Sequence, residues 1–460
     1  RVQRRQMVRR VLFINQSAVN RAVAIAIALV GFAAPIGAQA NPPIRELTAI
    51  ESTSPERFGN IFGARELVGG HVLVNDGVRR QLIELDARLT RVRIVLDSVT
   101  LGGNGYGPTA SPLINYLGDS TLFVDGAARV LLVIDPKGNV AHAMAGPTKQ
   151  DLGYLAGGPS GVDDKGRLLY RVVILKEPFV GGRPPLGKVT KIEQGLPDSG
   201  AIVRLDLDTR KVDTIARIKQ QSGSKGAVIF AADGKQSYSF TVNPLESMDE
   251  WTVMSNGSIA LVRGHDYHVD FLQSDGKTSS SAKLPYDWRK LSETDKQHLV
   301  DSLRAASDKA RDEAAQYGDD EVLRVTTEVL RSTSAGLGLL MGSAQPKPNK
   351  PPPAVKPPSV RAQTLEFVPL NEIADYYPPV HSGSLLPDAD GNVWILPNTS
   401  MQAKAGELVY DVVNARGELA QRVRLPVGRS IAGFGKRGIV YMMSVDGLNG
   451  WKLERAKIGS

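Results

Sequence analysis

The sequence contains no cysteine. That excludes disulfides and a lipid-modified N-terminal cysteine, so the fold must be held by its core alone. The roughly 420 residues after position 40 are ample for that. Histidine is scarce, with six in 460 residues. Gly-x-Ser-x-Gly does not occur, so no nucleophile elbow is visible. The stretch GGNGYG at 102–107 lacks both G-K-[ST] and a following helix pattern, which sets aside a phosphate loop. Acidic residues are missing from the first forty positions, where Arg1, Arg4, Arg5, Arg9, Arg10 and Arg21 precede and flank the apolar run AVAIAIALVGFAAPIG and then Ala38-Gln39-Ala40. This reads as a secretory signal peptide over 1–40, cleaved after Ala40, with Met7 a candidate initiator. An uncleaved anchor is the other reading, and the apolar run is short for a bilayer span. Periplasmic or secreted localisation is therefore expected, with no stable membrane span after cleavage.

The leader also carries most of the charge imbalance. Taking its 6 arginines from the 56 basic residues leaves 50, against 48 acidic ones. A nearly neutral remainder does not imply a nucleic-acid partner.

What the sequence does contain is a recurring unit of short alternating segments joined by tight turns. The units run HVLVND, RQLIELD, RVRIVLD; TLFVDGA, RVLLVID, NVAHAMAG; RLLYRVVIL, AIVRLDLD, KVDTIARIK; EWTVM, SIALVRG, YHVDFLQ; NVWILP, LVYDVVN, ELAQRVRLP; and SIAGFG, IVYMMSV, WKLERAKI. Alternation with Gly, Asp and Asn turns is a strand signal, and no amphipathic helix is expected between the strands. Six units with room for four strands each predict an all-β fold, a six-bladed β-propeller. The last unit has three clear strands, and residues 44–52 (IRELTAIES) are expected to supply the fourth and close the ring.

The expected organisation is a signal peptide (1–40), blades 1–4 with the closing strand (41–285), a helical insert (286–344), a Pro/Lys-rich linker (345–362) and blades 5–6 (363–460). In the insert, Ser292 with Asp295 three residues on reads as a helix start, followed by Leu299, Val300 and Leu303. A second helix is expected over DDEVLRVTTEVLRST. The stretch SAQPKPNKPPPAVKPPS should be extended or disordered. Turn lengths give direction to the ring. The turns between first and second and between third and fourth strands are all tight, whereas every long connection (179–200, 220–248, 286–380) projects from the opposite face. Elaborated loops on a rigid scaffold are where binding usually resides.

The residues EWTV at 250–253, RGHDYH at 263–268, LPDADGNVW at 386–394 and IAGFG at 431–435 through LER at 453–455 resemble the exported six-bladed β-propeller proteins of bacteria, relatives of the NHL and TolB-like propellers. The resemblance implies architecture. Its lactonase-like and amidating members also imply an alternative activity, a hydrolase or lyase using a divalent metal such as calcium at the mouth of the central channel. No residue-by-residue match to their ligand sets emerges.

Candidate chemistry concentrates in RGHDYHVDF, 263–271. On a strand–turn–strand path, His265 lies in the turn and His268 in the following strand. The H-x-x-H spacing therefore does not converge on one metal, whose ligands must meet at about 2 Å. His268 is assigned to the sheet. Arg263, His265 and Asp266 remain as ligand candidates on the elaborated face, with turn-fixing as the competing role for His265 and Asp266. Tyr376, Tyr377 and His381 lead into the fifth unit on the same face, the tyrosines forming an aromatic wall or wedging against the insert. Asp388-Ala-Asp390-Gly-Asn392 lacks the downstream Glu of a calcium loop and fits a tight turn better. No catalytic residue, resident cofactor or metal is assigned. The first expectation is a monomeric binding scaffold for a protein, peptide or glycan.

Overall fold

The computed structural model describes residues 41–98, 105–107, 111–125, 128–172, 187–195, 197–232, 236–315, 361–398, 407–446 and 450–459. The chain divides into two compact units, 1–39 and 40–460. The first unit, which holds the expected signal peptide, lies outside the described residues. So do the expected second helix and nearly all of the Pro/Lys-rich stretch. No helix among the described residues is long and apolar enough to cross a membrane.

The second unit is mostly β. It opens with β1 (Ile44–Glu46) and β2 (Ile50–Thr53), then forms a meander of β3 (Ile61–Glu66), β4 (Val72–Asp76), β5 (Gln81–Leu85) and β6 (Arg91–Asp97). A second meander is β7 (Leu113–Asn115), β8 (Thr121–Asp125), β9 (Val130–Ile134) and β10 (Val140–Ala145). Helix α1 (Lys149–Gly157) follows, capped by Thr148, whose side chain accepts from the Asp151 N–H. Sequence reading expected no helix between strands; α1 joins the second sheet to the third. The third sheet is β11 (Ser160–Val162), β12 (Leu168–Val172), β14 (Ser199–Leu205) and β15 (Val212–Lys219), with β13 (Thr190–Gly195) looped out of it. Strands β16 (Lys225–Phe230) and β17 (Gln236–Val242) precede the fourth sheet, β18 (Glu250–Val253), β19 (Ile259–Arg263), β20 (His268–Leu272) and β21 (Thr278–Ser280). Helix α2 (Glu293–Ala315) and β22 (Arg361–Phe367) come next. The fifth sheet is β23 (Leu385–Pro387), β24 (Val393–Ile395), β25 (Val409–Val413) and β26 (Leu419–Arg424). The last holds β27 (Arg429–Phe434), β28 (Ile439–Val445) and β29 (Trp451–Lys457), with β2 as its fourth strand.

Successive four-stranded antiparallel meanders make this the fold of a β-propeller. First strands touch in turn, β3 with β7, β7 with β11, β11 with β18 and β18 with β23, and β27 comes back to β3. Between each sheet and the next lies a separate apolar cluster, and the last cluster joins the sixth sheet to the first through Tyr441, Leu453, Val74 and Ile83. The N-terminal segment is shared between two sheets. β2 pairs with β29 antiparallel, and β1 adds a parallel fifth strand beside β26.

Five of the tight turns on one face of the ring repeat a single device. Asp86, Asp135, Asp163, Asp388 and Asn414 each accept, through one side-chain oxygen, the N–H groups two and four residues on. The fourth residue of such a turn has positive φ, as at Gly138, Gly166 and Gly417, the geometry of a short hairpin loop. Asp388 is thereby explained. Its carboxylate is occupied by the N–H groups of Asp390 and Asn392 and by Trp394 Nε1, and Asp390 accepts from the Arg437 and Gly438 N–H groups.

The opposite face carries a seventh sheet, in the order β13-β16-β17-β22. Its strands come from the long connections after β12, after β15 and after β21, which sequence reading took as loops and, for the last, as insert and linker. β17 pairs with β22 in parallel. Helix α2 packs Leu299, Val300 and Leu303 against Leu245, Val368 and Ile373. Its start is fixed by Ser292, whose hydroxyl accepts from the Asp295 N–H while the Asp295 carboxylate accepts from the Ser292 N–H. Residues 361–384 thus belong partly to this accessory sheet, and the fifth sheet begins only at Leu385.

Candidate functional site

Two short paths on the elaborated face place the candidate residues. The first is the turn Gly264–Tyr267 between β19 and β20. A Cβ at Gly264 would stand 1.9 Å from the Met248 carbonyl oxygen, so only glycine fits. Tyr267 holds φ at 51°, a conformation rare for a side-chain-bearing residue. It is kept there by its ring, buried with Val269 and Phe271, and by its hydroxyl, which donates to Asp411 Oδ2 at 2.7 Å across to the fifth sheet. Burial raises the Asp411 carboxyl above its ordinary range, against the pull of the Tyr267 and Arg422 bonds. Tyr267→Phe should therefore cost about 1–3 kcal/mol, since it strips one bond from a buried carboxylate. Denaturant unfolding of wild type and variant checks this, and an unchanged midpoint would contradict it.

Around this turn runs a chain of alternating charges. Arg263 reaches Asp249 and Asp270, each at 2.8 Å. His268 stands between Asp270 at 3.2 Å and Asp266 at 2.6 Å, and Asp266 meets Lys283 at 3.4 Å. Burial pushes the Asp266 carboxyl up, but the bonds to His268 and Lys283 prevail and hold it below its usual value. Asp270 follows the same pattern, with Ser280 and Arg263 prevailing over burial. Arg263 and Asp266 are thus joined to His268, while His265 is exposed in the turn outside this chain. Among the described residues no three His, Asp, Glu or Cys side chains gather as a metal site.

The second path is the lead into β23. Tyr376 is exposed, and its backbone bridges Lys290. Tyr377 packs against the helix cluster of the insert. The carbonyls of Tyr377 and Pro378 accept from the Tyr286 hydroxyl at 3.0 and 3.2 Å. His381 is buried, with Nδ1 2.6 Å from Asn398 Oδ1, and Asn398 Nδ2 donates to the same Pro378 carbonyl at 2.7 Å. Burial lowers the His381 pKa to about 4 even though the Asn398 bond opposes it.

The sign of the consequence follows from that depression. Above pH ~6.5 the imidazole is neutral in both folded and unfolded chains. Between pH ~6.5 and 4 the unfolded chain takes up a proton that the folded one refuses, so stability falls by on the order of 3 kcal/mol in all. His381→Asn, whose amide can still donate to Asn398, should lack this term. Unfolding free energies at pH 7 and 4.5 should fall by about 2–3 kcal/mol more for wild type than for the variant. Equal falls would refute the buried neutral imidazole.

Glu250, at the start of β18, was not anticipated as a site residue. Its buried carboxylate accepts from the Trp251 N–H at 3.0 Å and the Gly383 N–H at 2.9 Å, tying the fourth sheet to the turn before β23. Burial raises its pKa, and the charge of Arg171 opposes the rise. Ser384 is also buried, and its Oγ has no hydrogen-bond partner. Asn398 and Glu250 were not marked as site residues by their local sequence, since Asn398 meets His381 and Glu250 meets the Gly383 N–H only when separate segments come together. Tyr286 and Trp288 could have been flagged as paired aromatics in PYDW.

The fold and this face define the class, a β-propeller with an elaborated rim. No family model and no curated protein matches the sequence. Among solved structures, the chain is similar to a putative exported protein from Bacteroides fragilis (10% identity, 91% of this chain and 95% of that chain covered, TM-score 0.39). It is also similar to virginiamycin B lyase from Staphylococcus aureus (8%, 87% and 95%, 0.34). A third is an auxiliary nutrient binding protein from Bacteroides thetaiotaomicron (9%, 92% and 76%, 0.33). At these scores the likeness carries no argument about activity.

Proposed function

We propose that this chain is an exported six-bladed β-propeller of the NHL/TolB-like kind that acts as a binding scaffold and presents its elaborated face to a ligand. One observation carries the reading: three connections, far apart in sequence, leave the same face and build one accessory sheet there, while the opposite face is reduced to tight capped turns. A scaffold that invests its insertions on one side has one side for recognition. Arg263, His265, Asp266, Tyr376, Tyr377 and His381 all belong to that side.

The test is a thermal-shift screen of the purified full chain against oligosaccharides, peptides and, with and without added calcium, a panel of lactones assayed for turnover. A ligand that raises Tm in proportion to its saturation, without being consumed, supports the binding reading. Calcium-dependent turnover of a lactone, with no ligand raising Tm, overturns it in favour of the hydrolase.

A further inference from the structure

We infer that β13 is an interface with a second copy of this chain: two β13 strands pair antiparallel about Ile192, so that Lys191 of each copy lies opposite Glu193 of the other. This goes beyond the binding reading above, and it puts a two-fold pair where the sequence led to a monomer.

An open strand edge is a template for further pairing, and folded proteins blunt such edges with bulges, short strands or a covering element. Among the described residues every other outer edge is blunted in one of these ways. On the rim of the ring, β6, β10, β15 and β2 each shift register against their neighbours, and such irregularities bend a strand away from a further partner. β1 and β21 are only three residues long. At the far side of the accessory sheet, β22 also shifts register, and helix α2 flanks its end, with Leu303 in one cluster with Val368 and the Arg304 guanidinium 5.8 Å over the Phe367 ring. β13 has none of these protections. It pairs with β16 over six consecutive residues, from Thr190 with Phe230 to Gly195 with Lys225, without a shift. Among the described residues no strand pairs with its other side.

The charges on β13 decide what completes it. Side chains alternate along a strand, so Lys191 and Glu193 share one face, where both are exposed and stand 2.7 Å apart. Charge protects an edge when like signs meet, whereas these signs are opposite and lie symmetrically about Ile192. In a two-fold contact each residue meets the partner's counterpart in both directions. With Ile192 opposite its own copy, both cross-strand pairs are therefore attractive, and four charges alternate around the axis. A slip of two residues sets Lys191 against Lys191 or Glu193 against Glu193, and a slip of one turns the charges of the two copies to opposite faces. One register alone is favoured. The strand is complementary to itself, which commits this edge to a second copy rather than to a strand of another protein.

The experiment follows the full chain by sedimentation velocity over a range of protein concentrations. It compares wild type, Lys191→Glu, Glu193→Lys, the double variant, and an equimolar mixture of the two single variants. Wild type should pass from monomer to dimer as concentration rises. Each single reversal should weaken the dimer more than about tenfold, because it opposes like charges at both pairs. The double variant exchanges the signs and should restore the wild-type affinity. In the mixture both pairs are again attractive across one copy of each variant, so a mixed dimer should form where neither variant dimerises alone. Both side chains are exposed, so circular dichroism should show every variant folded. A wild-type chain that stays monomeric at all concentrations overturns the second copy as the occupant of this edge. A dimer that both single reversals leave unchanged overturns the β13 contact, and single reversals that neither the double variant nor the mixture rescues overturn the register.

Discussion

A chain lacking residues 41–54 should lose about 5 kcal/mol of stability or more, enough to leave much of it unfolded at ordinary temperature. Two sheets depend on this segment. β2 is the outer strand of the last sheet, and Ser54 holds its end in place, donating through N–H to the Leu453 carbonyl and accepting the Leu453 N–H on its hydroxyl. β1 covers β26, and the Leu47 N–H donates to the Arg424 carbonyl. Leu47 is 2% exposed and completes the cluster between the fifth and sixth sheets. Its burial alone is worth about 1.5–3 kcal/mol. The lost backbone bonds add on the order of 1 kcal/mol apiece, and two strands, β26 and β29, become open edges. Denaturant titration of the truncated and full chains decides the matter. An unchanged midpoint would mean that the ring does not depend on the segment. Single changes at the exposed pairs of the same segment, Glu46 with Arg424 and Glu51 with Arg455, should matter far less, because surface ion pairs contribute about 0–1 kcal/mol.

How much of this was legible depended on how local each determinant is. The strands and tight turns could be read directly, because a capped Asx turn such as Asp135-Pro-Lys-Gly or Asn414-Ala-Arg-Gly is written in four consecutive residues. The separation of His265 from His268 was legible for the same reason, since both lie in one hairpin. Asp249 and Lys283, which lengthen the charge chain around His268, lie outside that hairpin and were not legible. The accessory sheet was hidden more completely. β17 and β22 pair in parallel across the fourth sheet and the insert, and nothing within either segment specifies a partner so distant. His381 was visible as a rare residue type, but its character comes from Asn398 and Pro378, set beside it only by the pairing of β23 with β24. The double use of the N-terminal segment was half legible. A missing fourth strand in the last sheet asks for a filler, whereas nothing in the fifth sheet announces that it will take a parallel fifth strand.

Trp394→Ala should cost about 3–5 kcal/mol, the largest loss expected from a single substitution here. The side chain is fully buried in the cluster that joins the fifth and sixth sheets. Its ring centroid lies 5.0 Å from that of Phe434 and 5.8 Å from that of Tyr410, so it holds the first strand of one sheet against the third strand of the other. Its Nε1 donates to Asp388 Oδ2 at 3.1 Å, which also locks the turn before β24. Alanine removes the ring contacts and leaves a cavity between sheets that are pinned on both sides, so collapse around it is limited. Phenylalanine separates the two contributions. It restores most of the volume and loses only the indole bond, and Trp394→Phe should cost about 1–2 kcal/mol. Equilibrium unfolding of both variants measures the difference. A loss below about 1 kcal/mol for alanine would show that the two sheets can close over the gap. The effect should also reach the elaborated face, because Asn398 follows the end of β24 by only three residues. If the imidazole of His381 owes its neutrality to a tightly seated Asn398, the extra acid destabilisation expected of wild type should shrink in Trp394→Ala and persist in Trp394→Phe.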